Sequence, residues 1–243
     1  MFKDQKKINQ NSMLDIPRQL SCVRERIASA ALKYGRNPED IRLLAVSKTK
    51  PSSDILQAVE FGQLSFGENY VQEAVDKIRE IDKTELDWHF IGPIQSNKTR
   101  LIAENFSWVH SVDRLKIAQR LNDQLPDPRP PLNICLQVNV SDEVTKSGVT
   151  LDQLEELVLS IQSLPRLHLR GLMAIPAKLD GLEAQRLAFK KVKTKLTELN
   201  ASMSLEMDTL SMGMSNDLEA AIAEGATIVR VGSDIFGKRG NLV

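Results

Sequence analysis

Little in this sequence invites a metal ion or a disulfide. Its 243 residues hold two cysteines, Cys22 and Cys135, and three histidines, His89, His110 and His168, far apart from one another. No CxxC or Cys/His cluster occurs, which argues against a zinc site or a disulfide framework. Cys22 falls in a helical pattern and Cys135 in an apolar run, so both read as buried small hydrophobes. A charge of one sign is also missing, since 32 basic residues balance 32 acidic ones. That balance points to no nucleic acid and no anionic membrane as partner. No run approaches the roughly 18 apolar residues of a membrane span. Residues 1–13 are polar and lysine-bearing with no apolar core, so no secretory signal is expected and the protein is expected in the cytoplasm. No GxGxxG follows an apolar run, which weighs against a dinucleotide-binding fold.

What the chain does have is alternation. Residues 1–13 read as a disordered lead. From residue 14 to 34, Ile16, Leu20, Val23, Ile27 and Ala31 fall on one helical face, and Gly35 ends the helix. Strand-like runs follow at 41–46, 64–66, 88–91, 108–110, 133–140, 167–172, 209–212 and 226–231. Helical patterns separate them: 53–61, one opened by Asn69 and Gln72 as an approximate capping box, 96–104, one capped by Asp113, one opened by Thr150 and Gln153, 183–199 and 216–223. Strands alternating with helices imply a parallel sheet with right-handed crossovers. Eight such units at this length predict an α/β protein with a single (β/α)8 TIM barrel and an extra N-terminal helix, one domain over 14–240.

A barrel of this kind keeps its chemistry at the C-terminal ends of the strands. Lys48 stands there, after the run Leu43-Leu44-Ala45-Val46-Ser47. An amine at the mouth of an apolar core has a lowered pKa and becomes a nucleophile; the plainer reading is a surface lysine at a strand end. Ser211 through Asp217 follow strand 7, and Gly232-Ser233 follow strand 8. Ser215 or Asn216 alone is an ordinary helix cap and Gly232 an ordinary turn. On adjacent strands they make an anion site, because these loops and a nearby helix N-terminus commonly hold phosphate. Arg230 interrupts the apolar run of Ile228 to Val231, so its guanidinium must be paired within the barrel or face a ligand. A phosphate site, an amine able to form a Schiff base and a strand-end arginine suggest pyridoxal phosphate, with the arginine toward the pyridine nitrogen. Lys98 and Lys146 also fall at the expected mouth, as solvated surface or as attractors of an anionic cofactor.

The segments Ala45-Val46-Ser47-Lys48-Thr49-Lys50-Pro51, Phe66-Gly67-Glu68-Asn69-Tyr70-Val71-Gln72-Glu73, Trp88-His89-Phe90-Ile91-Gly92-Pro93-Ile94-Gln95-Ser96-Asn97-Lys98, Arg170-Gly171-Leu172-Met173-Ala174-Ile175, Leu210-Ser211-Met212-Gly213-Met214-Ser215-Asn216-Asp217 and Val229-Arg230-Val231-Gly232-Ser233 resemble the pyridoxal-phosphate homeostasis protein family. The resemblance runs from about residue 14 to Arg239. It implies a barrel like the N-terminal domain of alanine racemase, with Lys48 rather than Lys50 carrying pyridoxal 5'-phosphate as an aldimine. It implies Ser215, Gly232 and Ser233 at the phosphate, with the Met214 backbone beside them, Arg230 at the ring nitrogen, Asn69 near the ring and Ser211 among the cofactor-binding residues. Ser233 stands where the family often has threonine and keeps the hydroxyl.

A cationic donor at the pyridine nitrogen disfavours its protonation and makes the ring a weak electron sink. That narrows the chemistry to racemase-like proton transfer or none. The racemases resembled take a second base, a tyrosine, from an additional β domain of a partner subunit, and this chain ends soon after strand 8. Its tyrosines are Tyr34 and Tyr70. The expected role is therefore non-enzymatic: to hold the cofactor masked and pass it on to pyridoxal-phosphate enzymes, as a monomer, with indirect effects on amino-acid metabolism. The rival is a racemase-like enzyme using Tyr70 or His89.

Overall fold

The computed structural model describes residues 15–140 and 147–237. The expected lead at 1–13 and Lys146 lie outside them. Strand β1, Arg42–Val46, pairs in parallel with β2, Ser65–Glu68, on one side and with β8, Ile228–Val231, on the other. Between them run β3, Asp87–Phe90, β4, Trp108–Val112, β5, Leu132–Val138, β6, Leu167–Ala174, and β7, Thr209–Ser211, all in chain order and closed into a barrel. The helices are α1, Ile16–Lys33, α2, Ser52–Glu60, α3, Val71–Ile81, α4, Thr99–Asn105, α5, Leu115–Gln124, α6, Leu154–Gln162, α7, Leu182–Met203, α8, Leu218–Ala223, and α9, Ser233–Phe236. The (β/α)8 barrel with an extra N-terminal helix is thus the fold.

Period-two alternation divides the apolar residues between two cores. In β1, Leu43 and Ala45 join the large layer between strands and helices, whereas Leu44 packs with Trp108, Cys135, Met173 and Ile228 in a separate cluster inside the barrel. Helix α1 buries Ile16, Leu20, Val23, Ile27 and Ala31 and packs against α2, α8 and α9. Its start is fixed by Asp15, whose Oδ1 accepts from the Arg18 amide at 3.0 Å.

Several local expectations give way. Cys22 is exposed, because it lies two residues past Leu20, on the polar side of α1; only Cys135 is buried. Asn69 does not cap α3, whose N-cap is Tyr70. Asp113 pairs with Arg114 instead of capping α5. Thr150 Oγ1 meets Gln153 Oε1, not a backbone amide. Strand β2 runs on to Glu68, two residues past its apolar stretch. A carboxylate ends a buried strand here because Lys77 of α3 reaches it at 2.8 Å.

Candidate functional site

The turn after β1 sets the position of Lys48. Thr49, the next residue, has φ of 63°, a left-handed conformation that is an outlier for a β-branched side chain. Such strain persists only where the surroundings enforce it. Here a buried ionic network does so. Ser47 Oγ donates to Glu68 Oε1 at 2.7 Å, and Lys77 Nζ donates to the Ser47 carbonyl and to Glu68 Oε1, both at 2.8 Å. Lys77 Nζ also donates to Glu73 Oε1 at 2.5 Å, and that carboxylate accepts the Thr49 amide at 2.6 Å. The residues on both sides of Lys48 are thereby tied to β2 and α3. Burial pushes the Glu68 carboxyl above its usual range, although Lys77 and Ser47 pull it down.

Asn69, just past β2, is brought in by a close backbone approach. A Cβ on Gly92 would stand 2.2 Å from the Asn69 carbonyl oxygen, so only glycine lets the β3 end lie against it. Asn69 Oδ1 is buried and has no hydrogen-bond partner among the described residues. On the other side of β1, Gly232 follows β8; a Cβ there would lie 3.0 Å from the Val46 carbonyl oxygen and 3.3 Å from Val46 Cβ. Gly232→Ala is expected to push the β1 and β8 ends apart by a few tenths of an ångström. The cost should be about 1–2 kcal/mol of stability, the overpacking range, read as a lowered midpoint in chemical unfolding.

Arg230 of β8 is buried, 4% exposed. Its Nη1 donates to the Ser211 carbonyl at 2.6 Å and to Ser211 Oγ at 2.9 Å, and its Nη2 donates to the Ala174 carbonyl at 3.0 Å. A guanidinium has five N–H donors, so two are left over. No carboxylate reaches Arg230 within ion-pair distance among the described residues. Burial lowers its pKa to about 10, which still leaves it cationic at neutral pH.

These groups surround a cavity of about 820 Å³ at the C-terminal ends of the strands, a size that suits a small organic ligand. Lys48, Asn69, Met214, Ser215, Arg230, Gly232 and Ser233 all line it, as does Lys50. Ser211 does not: it is fully buried beneath Arg230. The Met214 amide is already used, donating to Asp217 Oδ1 at 2.6 Å. Lys98 sits in a short 3-10 turn, Ser96–Lys98, away from the lining.

Three contributors have no clear mark in the sequence. Residues 175–181, between β6 and α7, form one wall of the cavity. Arg26 of α1 donates to the Ser215 carbonyl at 2.8 Å and to Asp234 at 2.6 Å, joining the loop after β7 to α9. Lys77 and Glu73 sit on α3 as one more charged pair at (i, i+4), a spacing that usually marks a solvated face. Only the charged Glu68 at the end of an apolar strand pointed toward a buried partner.

The lining suits a phosphorylated aromatic aldehyde. It offers an amine in Lys48, hydroxyls in Ser215 and Ser233, spare guanidinium donors in Arg230 and an unsatisfied amide oxygen in Asn69.

Barrel and site together define a class, and comparison with known proteins agrees. A family model described as "Alanine racemase, N-terminal domain" matches residues 20–240. At the level of fold alone, alanine racemase from Corynebacterium glutamicum superposes with a TM-score of 0.66 at 16% identity, over 90% of this chain and 61% of that one. Within that class the chain belongs to the pyridoxal phosphate homeostasis protein family. The protein of that name from Escherichia coli K12 is 54% identical over 237 residues, 93% of this chain and 98% of its own length. The one from Pseudomonas aeruginosa is 55% identical over 227 residues, covering 93% and 97%. PipY of Synechococcus elongatus PCC7942, solved with PLP bound, aligns with a TM-score of 0.80 at 37% identity, over 91% of this chain and all of that one.

Proposed function

We propose that this protein binds pyridoxal 5'-phosphate through Lys48, holds it masked as an imine, and passes it on to pyridoxal-phosphate enzymes, acting as a monomer. The observation that carries the reading is the convergence of Lys48, Arg230, Ser215 and Ser233 on one cavity, in a chain whose PipY relative was solved with PLP. Ser215, Gly232 and Ser233 hold the phosphate, Asn69 lies by the ring, and Arg230 donates to the ring nitrogen. When bound, the cofactor supplies an aldehyde that joins the Lys48 amine with loss of water and returns on hydrolysis.

A non-enzymatic role is supported by what surrounds the cavity. Among the described residues that line it there is no tyrosine, histidine or cysteine, and its ionisable side chains are Lys48, Lys50, Lys178, Asp180, Asp217 and Arg230. Tyr70 is half exposed outside the lining. His89 is fully buried, with both ring nitrogens engaged by Asp87 and His110. Proton transfer on both faces of a substrate needs two positioned groups, and no tyrosine, such as the racemases resembled use for the second, is among the described lining residues.

The test is direct. Purified protein mixed with pyridoxal phosphate should develop the visible band of a protein-bound imine. Borohydride should fix the cofactor on the peptide that holds Lys48. Exchange of the α-proton of amino acids for deuterium, followed by NMR, should stay near the rate of free cofactor. Attachment elsewhere sinks the binding reading; exchange at enzymatic rates sinks the non-enzymatic one.

A further inference from the structure

A chain of polar groups, buried from His89 onward, runs through the barrel interior and ends on Arg230. Asp87, at the start of β3, has Oδ2 2.9 Å from His89 Nε2. His89 Nδ1 lies 2.9 Å from His110 Nε2, and His110 Nδ1 lies 2.7 Å from Ser211 Oγ. Ser211 Oγ in turn takes a hydrogen bond from Arg230 Nη1 at 2.9 Å. His89, His110 and Ser211 are each fully buried. Such a set of polar groups in an apolar interior is costly unless every member is satisfied.

The two ends fix the direction of every bond. A guanidinium only donates and an ionised carboxylate only accepts. Asp87 is ionised: burial pushes its carboxyl up, but hydrogen bonds from His89 and Ser107 outweigh that and hold it at about 2. His89 Nε2 must therefore carry a proton and donate to Asp87. Burial keeps both imidazoles neutral, so His89 Nδ1 accepts from His110 Nε2–H, and His110 Nδ1 accepts from the Ser211 hydroxyl. Ser211 is left with its oxygen facing Arg230. Each dipole turns its negative end toward the buried guanidinium. The chain thus compensates a cation that has no carboxylate in contact among the described residues and directs its two remaining N–H groups elsewhere.

We propose that Ser211, His110 and His89 are positioning residues that hold Arg230 as a fixed donor toward the ring nitrogen of the bound cofactor, through a one-way relay of hydrogen bonds ending on Asp87. The proposal rests on the reading of the cavity as a pyridoxal-phosphate site. It changes the place of Ser211, which supports Arg230 from behind instead of touching the cofactor. It also gives His89 a role other than that of a base.

The test uses the full chain loaded with pyridoxal phosphate, in four forms: wild type, Ser211→Ala, His110→Phe and His110→Asn. Asparagine keeps an acceptor near the position of Nδ1 and so retains the bond from Ser211; alanine at 211 and phenylalanine at 110 break the relay. Circular dichroism of the unloaded proteins checks folding, and borohydride fixation with peptide mapping checks the link to Lys48. Ser211→Ala and His110→Phe should still attach cofactor at Lys48. Their visible band should titrate at a different pH from wild type, and their cofactor affinity should fall about tenfold, the loss expected for one hydrogen bond to a charged group. His110→Asn should stay near wild type in both. Combining Ser211→Ala with His110→Phe should cost little more than either change alone, because the two act through one chain. Wild-type titration and affinity in Ser211→Ala overturn the proposal, as does equal loss in His110→Asn and His110→Phe. If His110→Phe does not fold, Ser211→Ala carries the decision. Failure of wild type to attach at Lys48 instead condemns the cofactor reading itself.

Discussion

Lys48→Ala is expected to lose the visible band and all borohydride-fixed cofactor, while Lys50→Ala keeps both. Both lysines line the cavity, so amine chemistry alone does not choose between them. The family resemblance implies Lys48, whose neighbours Ser47 and Thr49 are gripped by the Glu68–Lys77–Glu73 network at the Ser47 carbonyl and the Thr49 amide. An amine delivered from a fixed backbone reaches one carbon at high effective concentration. The alanine variant should still bind cofactor through its phosphate and Arg230, at an affinity about a hundredfold lower or worse, some 3 kcal/mol. Equilibrium dialysis gives that residual affinity, and reduction followed by mass spectrometry gives the attachment. Fixed cofactor on Lys50 in the Lys48→Ala protein would reverse the assignment.

The second large effect concerns stability. Lys77→Met removes the one cation that reaches Glu68 among the described residues and leaves a fully buried carboxyl without its counter-charge. Breaking a buried pair in this way costs about 3–5 kcal/mol, measured as a drop in unfolding free energy in urea. The deficit should depend on pH with a definite sign. Burial holds the Glu68 carboxyl above its ordinary range, and loss of Lys77 raises it further. The folded state then prefers the protonated acid. The deficit is smallest near the ordinary carboxylate range and grows as the pH rises through the folded value. Pairing Lys77→Met with Glu68→Gln should recover most of the loss, since an amide needs no counter-ion. A small deficit that does not vary with pH would mean that water already screens this pair.

How much of this could be read from the sequence follows from the range of each interaction. The barrel was legible because Leu43-Leu44-Ala45-Val46 and its seven counterparts are short apolar runs spaced by helical patterns, a signal carried within each segment. Lys48, Arg230 and Gly232 stood out because a charge or a glycine ends or interrupts such a run. Caps were read less well. Asn69 and Asp113 have the right chemistry for capping, but the backbone approach of Gly92 to Asn69 and the neighbouring Arg114 claim them instead. The relay was out of reach. His89, His110 and Ser211 each look like one polar residue in a strand, and what joins them is the closure of the sheet, which brings His110 and Ser211 together across 101 residues of chain. Arg26 is similar: on α1 it is one charge among several on a solvated face, and its partners lie 189 and 208 residues away.

The interior packing of the barrel has a consequence for traffic. Leu44, Trp108, Cys135, Met173 and Ile228 fill the hollow below Arg230, so among the described residues no passage leads through to the opposite face. A molecule seated in the cavity departs by the doorway through which it arrived. If the proposed function holds, a receiving enzyme must either dock over that doorway or wait for cargo to diffuse free, and in the second case the rate of escape caps the rate of supply.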